Sequence, residues 1–128
     1  MVLARGGKPG DKPLVVADYT DNPGGGGYGD ATAFFKGLVE AGVDGVAFHA
    51  ICDPEAVREG MRTGIGAKTT LALGGKTDAA MGGEPLALHG QIMCLTTGRF
   101  IAYGPMGAGW NVITGHRWCS GWAVSTSS

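Results

Sequence analysis

The sequence predicts an α+β fold: a βαβα unit carrying a glycine-rich loop, followed by antiparallel strands. Three observations predict it. Up to residue 64, short apolar runs alternate with apolar residues at helical spacing. After Lys68 the spacing changes to short runs suited to strands, bounded by turn residues. Between the first strand and the first helix lie four successive glycines, residues 24–27. Glycine costs more ordering entropy than any other residue, so four together call for a reason beyond packing.

Each element has a local justification. Residues 1–12 read as a linker or lead-in, because Gly6, Gly7, Pro9 and Gly10 break any period. Residues 13–17 form a short apolar run between turn residues, as a buried strand would. The loop 18–30 follows. Ala31, Phe34, Phe35, Leu38 and Val39 then fall on one helical face, with Asp30 as expected N-cap and Gly42 as the left-handed stop. Residues 45–51 predict a second strand. Asp53, Pro54 and Glu55 start a second helix, in which Val57, Met61 and the stem of Arg58 should pack, with Gly64 ending it. Residues 69–73, 86–95 and 99–103 read as strands, the last two as a hairpin turning at Thr96, Thr97 and Gly98. Residues 74–83 read as a polar connection.

With 128 residues the chain suits one domain with a modest core. A net charge of −1 gives no electrostatic footprint for nucleic acid or for an anionic membrane. No apolar run approaches the ~20 residues of a membrane span, and the start lacks the apolar core of a secretory signal. Cys52, Cys94 and Cys119 are too scattered for a disulfide framework or a zinc knuckle, so a reducing cytoplasm is the expected compartment.

Gly24, Gly26 and Gly29 satisfy the G-x-G-x-x-G pattern, and the alternative function is a nucleotide- or phosphate-binding module built on residues 24–29. Several residues separate that pattern from the strand, and Asp18, Asp21 and Asp30 would repel a pyrophosphate. A Walker loop is excluded because Asp30 and Ala31 stand where Lys and Ser or Thr are needed. The acids suit the opposite partner. Asp18, Asp21, Asn22 and Asp30, beside the backbone of Gly24, Gly25 and Gly26, are the candidate substrate-binding residues, offering acceptors to a metal-bound substrate, to the amine end of a peptide or to ligands on another domain. His49, His89 and His116 lack metal-binding spacing. Cys52 beside His49 and Asp53 could be a nucleophile, but the expectation is a small buried hydrophobe. A non-catalytic interaction domain is the remaining alternative.

A wider pattern is carried by Val15, Val16, Ala17 and Asp18, by 21–26, by Gly29, Asp30 and Thr32, by 53–57, by Gly74, Gly75 and Lys76, by Gly98, Arg99 and Phe100, and by Gly104, Pro105 and Met106. Together these residues resemble the C-terminal domain of the microcystinase C (MlrC) family, metallopeptidase-like proteins, over residues 13–109. The resemblance implies an upstream N-terminal catalytic domain that carries zinc and hydrolyses a peptide-like substrate. It implies that this chain binds no zinc alone and is inactive alone, and that its signature loop faces the substrate or the metal shell. Residues 110–128 depart from the family pattern. A one-base shift through GC-rich codons can restore a family-like ending, so a frameshifted tail is expected, poorly packed, with no role for His116, Trp118 or Cys119.

Overall fold

The computed structural model describes residues 2–4, 12–43, 45–105, 107–114 and 117–121. In chain order the elements are β1 (Val2–Ala4), β2 (Leu14–Val16), a 3-10 turn (Pro23–Gly25), α1 (Ala33–Glu40), β3 (Val46–Phe48), α2 (Pro54–Thr63), β4 (Lys68–Leu73), α3 (Ala79–Gly82), β5 (Leu86–Thr96), β6 (Arg99–Ile101), β7 (Asn111–Ile113) and β8 (Arg117–Gly121). The fold is α+β, with antiparallel strand pairs.

Two compact units divide the chain. One takes the described residues up to Asp53 together with 71–88; the other takes 54–70 and the described residues from His89 onward. In the first, β1 lies between β2 and β3 and runs antiparallel to both. Strands β2 and β3 therefore share a direction, as expected for a βαβ unit, but they are not neighbours. The inserted strand comes from the stretch expected to be a lead-in. Three residues are too few to display a period of two.

Helix α1 forms where the apolar period placed it. Phe34, Phe35, Leu38 and Val39 are its half-buried residues. Phe35 stacks on Phe48 of β3 with ring centroids 4.7 Å apart, and Phe34 tilts against the same ring at 6.4 Å. The helix ends as expected. Gly42 has φ of 62°, its N–H donates to the Val39 carbonyl, and the Val43 N–H donates to Leu38. These are the two bonds of a Schellman motif. The start differs from expectation: Thr32, not Asp30, is the N-cap, and the Asp30 carboxylate is engaged elsewhere.

Helix α2 begins at Pro54, as the Asp-Pro-Glu signal predicts. Its buried residues are Ala56 and Gly60, four apart, while Met61 is exposed; the expected packing face is rotated by about one residue. Strand β4 alternates cleanly, with Leu71 and Leu73 buried. Residues 74–83, expected to be connection only, contain α3, whose N-cap Asp78 accepts from the Ala80 N–H at 3.0 Å.

The expected β5–β6 hairpin does not form. The second sheet has the order β4-β5-β8, and β6 pairs with β7 instead. At the turn, the Gly98 N–H donates to the Thr96 hydroxyl and Gly98 accepts from Thr114, which directs β6 onto β7. Strand β8 pairs antiparallel with β5, with a bulge between Ile92 and Cys94. Both β7 and β8 lie in the tail expected to be poorly packed, so residues 111–113 and 117–121 of it are in paired strands. The side chains of His116, Trp118 and Cys119 lie outside the described residues. Buried apolar side chains are Leu71, Leu73 and Leu88 in the first unit and Ala56 and Ile92 in the second.

Candidate functional site

The loop between β2 and α1 closes on itself. The Asn22 side chain accepts from the Gly24 N–H at 3.0 Å, and its carbonyl accepts from Gly25 at 2.8 Å and Gly27 at 3.0 Å. The Pro23 carbonyl accepts from Gly26 at 3.2 Å. Asp21 then bridges the loop: one carboxylate oxygen accepts from the Gly29 N–H and the other from the Ala31 N–H, both at 2.7 Å. Glycine is needed where this closure is tightest. A Cβ on Gly27 would lie 2.9 Å from the backbone of Asp21 and Asn22, and one on Gly29, with φ of 77°, would lie 2.8 Å from the Pro23 ring.

The C-terminal end of the loop is tied to two other segments of the same unit. Asp30 is only 3% exposed. Its carboxylate accepts from the N–H groups of Lys76 and Thr77, at 3.0 and 2.9 Å, and its carbonyl from Gly75 at 2.6 Å. Asp53 is 5% exposed, accepts from the Gly74 N–H at 2.9 Å and pairs with Lys76 Nζ at 3.0 Å. Thr32, fully buried, donates its hydroxyl to the Glu84 carbonyl at 2.7 Å. Two buried carboxylates are thus satisfied by backbone amides and a lysine, as burial requires. From sequence, Asp53 reads as a helix start and Thr32 only as part of a family pattern. The 53–76 pairing joins residues far apart in sequence, and no local signal marks it.

Asp18 stands apart from this network. It is half-buried, and its Oδ1 accepts both the Thr20 hydroxyl, at 2.6 Å, and the Thr20 N–H, at 2.9 Å. Those two bonds hold its carboxyl below the usual aspartate range. It edges an open cleft of about 510 Å³ whose walls include Val16, Tyr19, Thr20, Phe34 and Met81.

The structure therefore places Asp21, Asn22, Gly24, Gly25 and Gly26 together in one closed loop, Asp30 behind it in the network with Lys76, and Asp18 on the cleft. The amides of Gly24, Gly25, Gly26, Gly27 and Gly29 all donate within the chain, so the glycine run is not an open cradle for a phosphate. Zinc, implied for the family, finds no fit here: among the described residues no group of three or more His, Cys, Asp and Glu side chains is placed to hold a metal ion. His89 is paired with the Thr70 hydroxyl at 2.6 Å. Cys52, expected to be buried, is exposed, and its N–H donates to the Gly29 carbonyl at 2.6 Å. No helix among the described residues is long and apolar enough to cross a membrane.

Microcystinase C of Sphingomonas sp. is 38% identical to this chain over 59 residues, which is 46% of this chain and 12% of that protein. A crystal structure from Mesorhizobium sp. BNC1, provisionally assigned as a metallopeptidase, has a TM-score of 0.65 and 25% sequence identity, covering 82% of this chain and 21% of that one. The chain thus spans about a fifth or less of either relative's length. The family model for the MlrC C-terminus matches residues 16–120, past Gly109, where the sequence had suggested the pattern ends. That match covers most of the 128 residues, and the chain belongs to the MlrC C-terminus family.

Proposed function

We propose that this chain is the C-terminal part of a microcystinase C-like zinc metallopeptidase. In this reading the catalytic N-terminal domain holds the zinc, and the loop 18–30 supplies a fixed edge facing a peptide-like substrate or the metal shell. The observation that carries it is the family match over residues 16–120, which contains the whole loop. The names of the relatives support hydrolysis of a peptide-like substrate. The closed loop favours positioning over chemistry. Its Asp21 and Asn22 groups fix backbone, and a fixed backbone edge is what an active site needs from a supporting element.

The test joins this chain to the N-terminal part of a full-length relative and measures hydrolysis of a linear peptide. The joined protein should be active, and Asp21→Ala with Asn22→Ala should lower kcat/KM by about tenfold or more, since misplacing a positioning element by an ångström can cost a hundredfold. Unchanged activity in a folded variant would remove the loop from the site. Turnover by this chain alone would overturn the reading altogether.

A further inference from the structure

We infer that the cleft beside Asp18 is a subsite for an arginine side chain of a peptide. The inference rests on the reading of the chain as part of a peptide-hydrolysing protein, and it adds the chemistry of one recognised group. Among the described residues lining the cleft, Asp18 is the only one that carries a charge. The Thr20 hydroxyl and amide both bind Oδ1, and among the described residues Oδ2 accepts no hydrogen bond. The carboxylate is therefore oriented by one oxygen, with the chain's amino terminus as a weaker positive neighbour. The walls around it are apolar or aromatic: Val16, Tyr19, Phe34 and Met81. Tyr19 is 86% exposed and Met81 78% exposed, far more than an apolar side chain needs for packing within the chain.

This combination selects a particular occupant. An anion is repelled by Asp18. A purely apolar group would cover the carboxylate without compensating it. A guanidinium pairs with a carboxylate oxygen, stacks on aromatic faces, and carries a three-carbon stem that covers apolar surface. It meets every wall of the cleft, which a compact ammonium does less well. Nothing in this assignment uses the closed glycine loop, so Asp18 and the residues of 21–30 have separate tasks.

The experiment uses the 128-residue chain alone and needs no turnover. With methionine methyl groups labelled with ¹³C, Nα-acetyl-argininamide is titrated in and the Met81 signal followed. The expected result is saturable movement of that signal. Nα-acetyl-citrullinamide, the neutral isostere, should bind about fivefold more weakly or worse, the size expected for losing one partly exposed charged contact. Asp18→Asn, which keeps an oxygen for Thr20, should erase the difference between the two ligands. A dipeptide amide with a free amino terminus and no basic side chain tests the other source of a cation. If the dipeptide matches the arginine ligand, or if citrulline binds as well as arginine, the proposal is overturned. The arginine–citrulline comparison is made on the unaltered chain, so misfolding of a variant cannot decide it. Failure here leaves the hydrolase reading standing, because that reading is tested by activity of the joined protein.

Discussion

Single carboxylates do most of the organising at the residue scale. Asp21 accepts from the amides of Gly29 and Ala31, which no other group among the described residues serves. Removing it leaves both without an acceptor in a partly buried setting, where each costs about 1–3 kcal/mol. Asp21→Ala should therefore destabilise the chain by about 2–6 kcal/mol in urea unfolding, and Asp21→Asn, which keeps one oxygen, by about half as much. Asp18 gives a prediction in pH. Its folded-state pKa is depressed, first by the Thr20 hydroxyl and then by the Thr20 amide. The stability it contributes is present above the unfolded aspartate value, roughly pH 4, and is lost as pH falls through the lower folded value. Thr20→Val removes the larger cause, so an NMR titration should show the Asp18 pKa rising toward the ordinary range, with no change at neutral pH in the carboxylate's charge.

At the scale of elements, the four successive glycines are not equivalent. A Cβ at Gly24 would meet only the Asn22 side chain, at 3.3 Å, whereas one at Gly27 would meet backbone at 2.9 Å. Gly27→Ala should cost about 2 kcal/mol or more and weaken the protection of the Gly29 amide in hydrogen exchange, because backbone must move to admit the methyl. Gly24→Ala should stay within about 0.5 kcal/mol of the parent, as a surface change does. Equal effects at both positions would refute the packing account of the loop.

Elements whose evidence is local were legible in the sequence: α1 from its apolar period, its end from Gly42, the start of α2 from Pro54. Those decided by distant partners were not. Val2–Ala4 is a strand because β2 and β3 flank it. Arg99–Ile101 leaves β5 because Asn111–Ile113 pairs with it. Asp30 looked like a cap, yet its oxygen goes to residues 76 and 77, which lie 46 and 47 positions away. The candidate loop was readable as a unit, but its closure by Asp21 was not, since a bond from residue 21 to residues 29 and 31 follows no short-range rule.

At the scale of the whole molecule, few apolar side chains among the described residues are fully buried, and many large ones stand exposed. Tyr103 is 88% exposed, Trp110 70% and Ile113 68%, in a chain that is 44% hydrophobic. Apolar side chains exposed as one contiguous patch mark an interaction site, whereas singly scattered ones need no explanation. The proposed N-terminal partner gives such a patch an expected signature. The chain alone should enhance the fluorescence of an apolar dye such as ANS, and the joined protein should do so several-fold less per molecule. Equal dye binding in the two forms would argue that the surface serves something other than that domain.

The bridge made by Asp21 has one more implication. Because a single side chain ties the run's beginning to residues 29 and 31, whatever happens at its tip is mechanically insulated from the strand before it and the helix after it. A few extra amino acids spliced in between Gly24 and Gly25 should leave the stem standing but break the turn that Asn22 closes, so the joined protein should stay folded and lose hydrolysis.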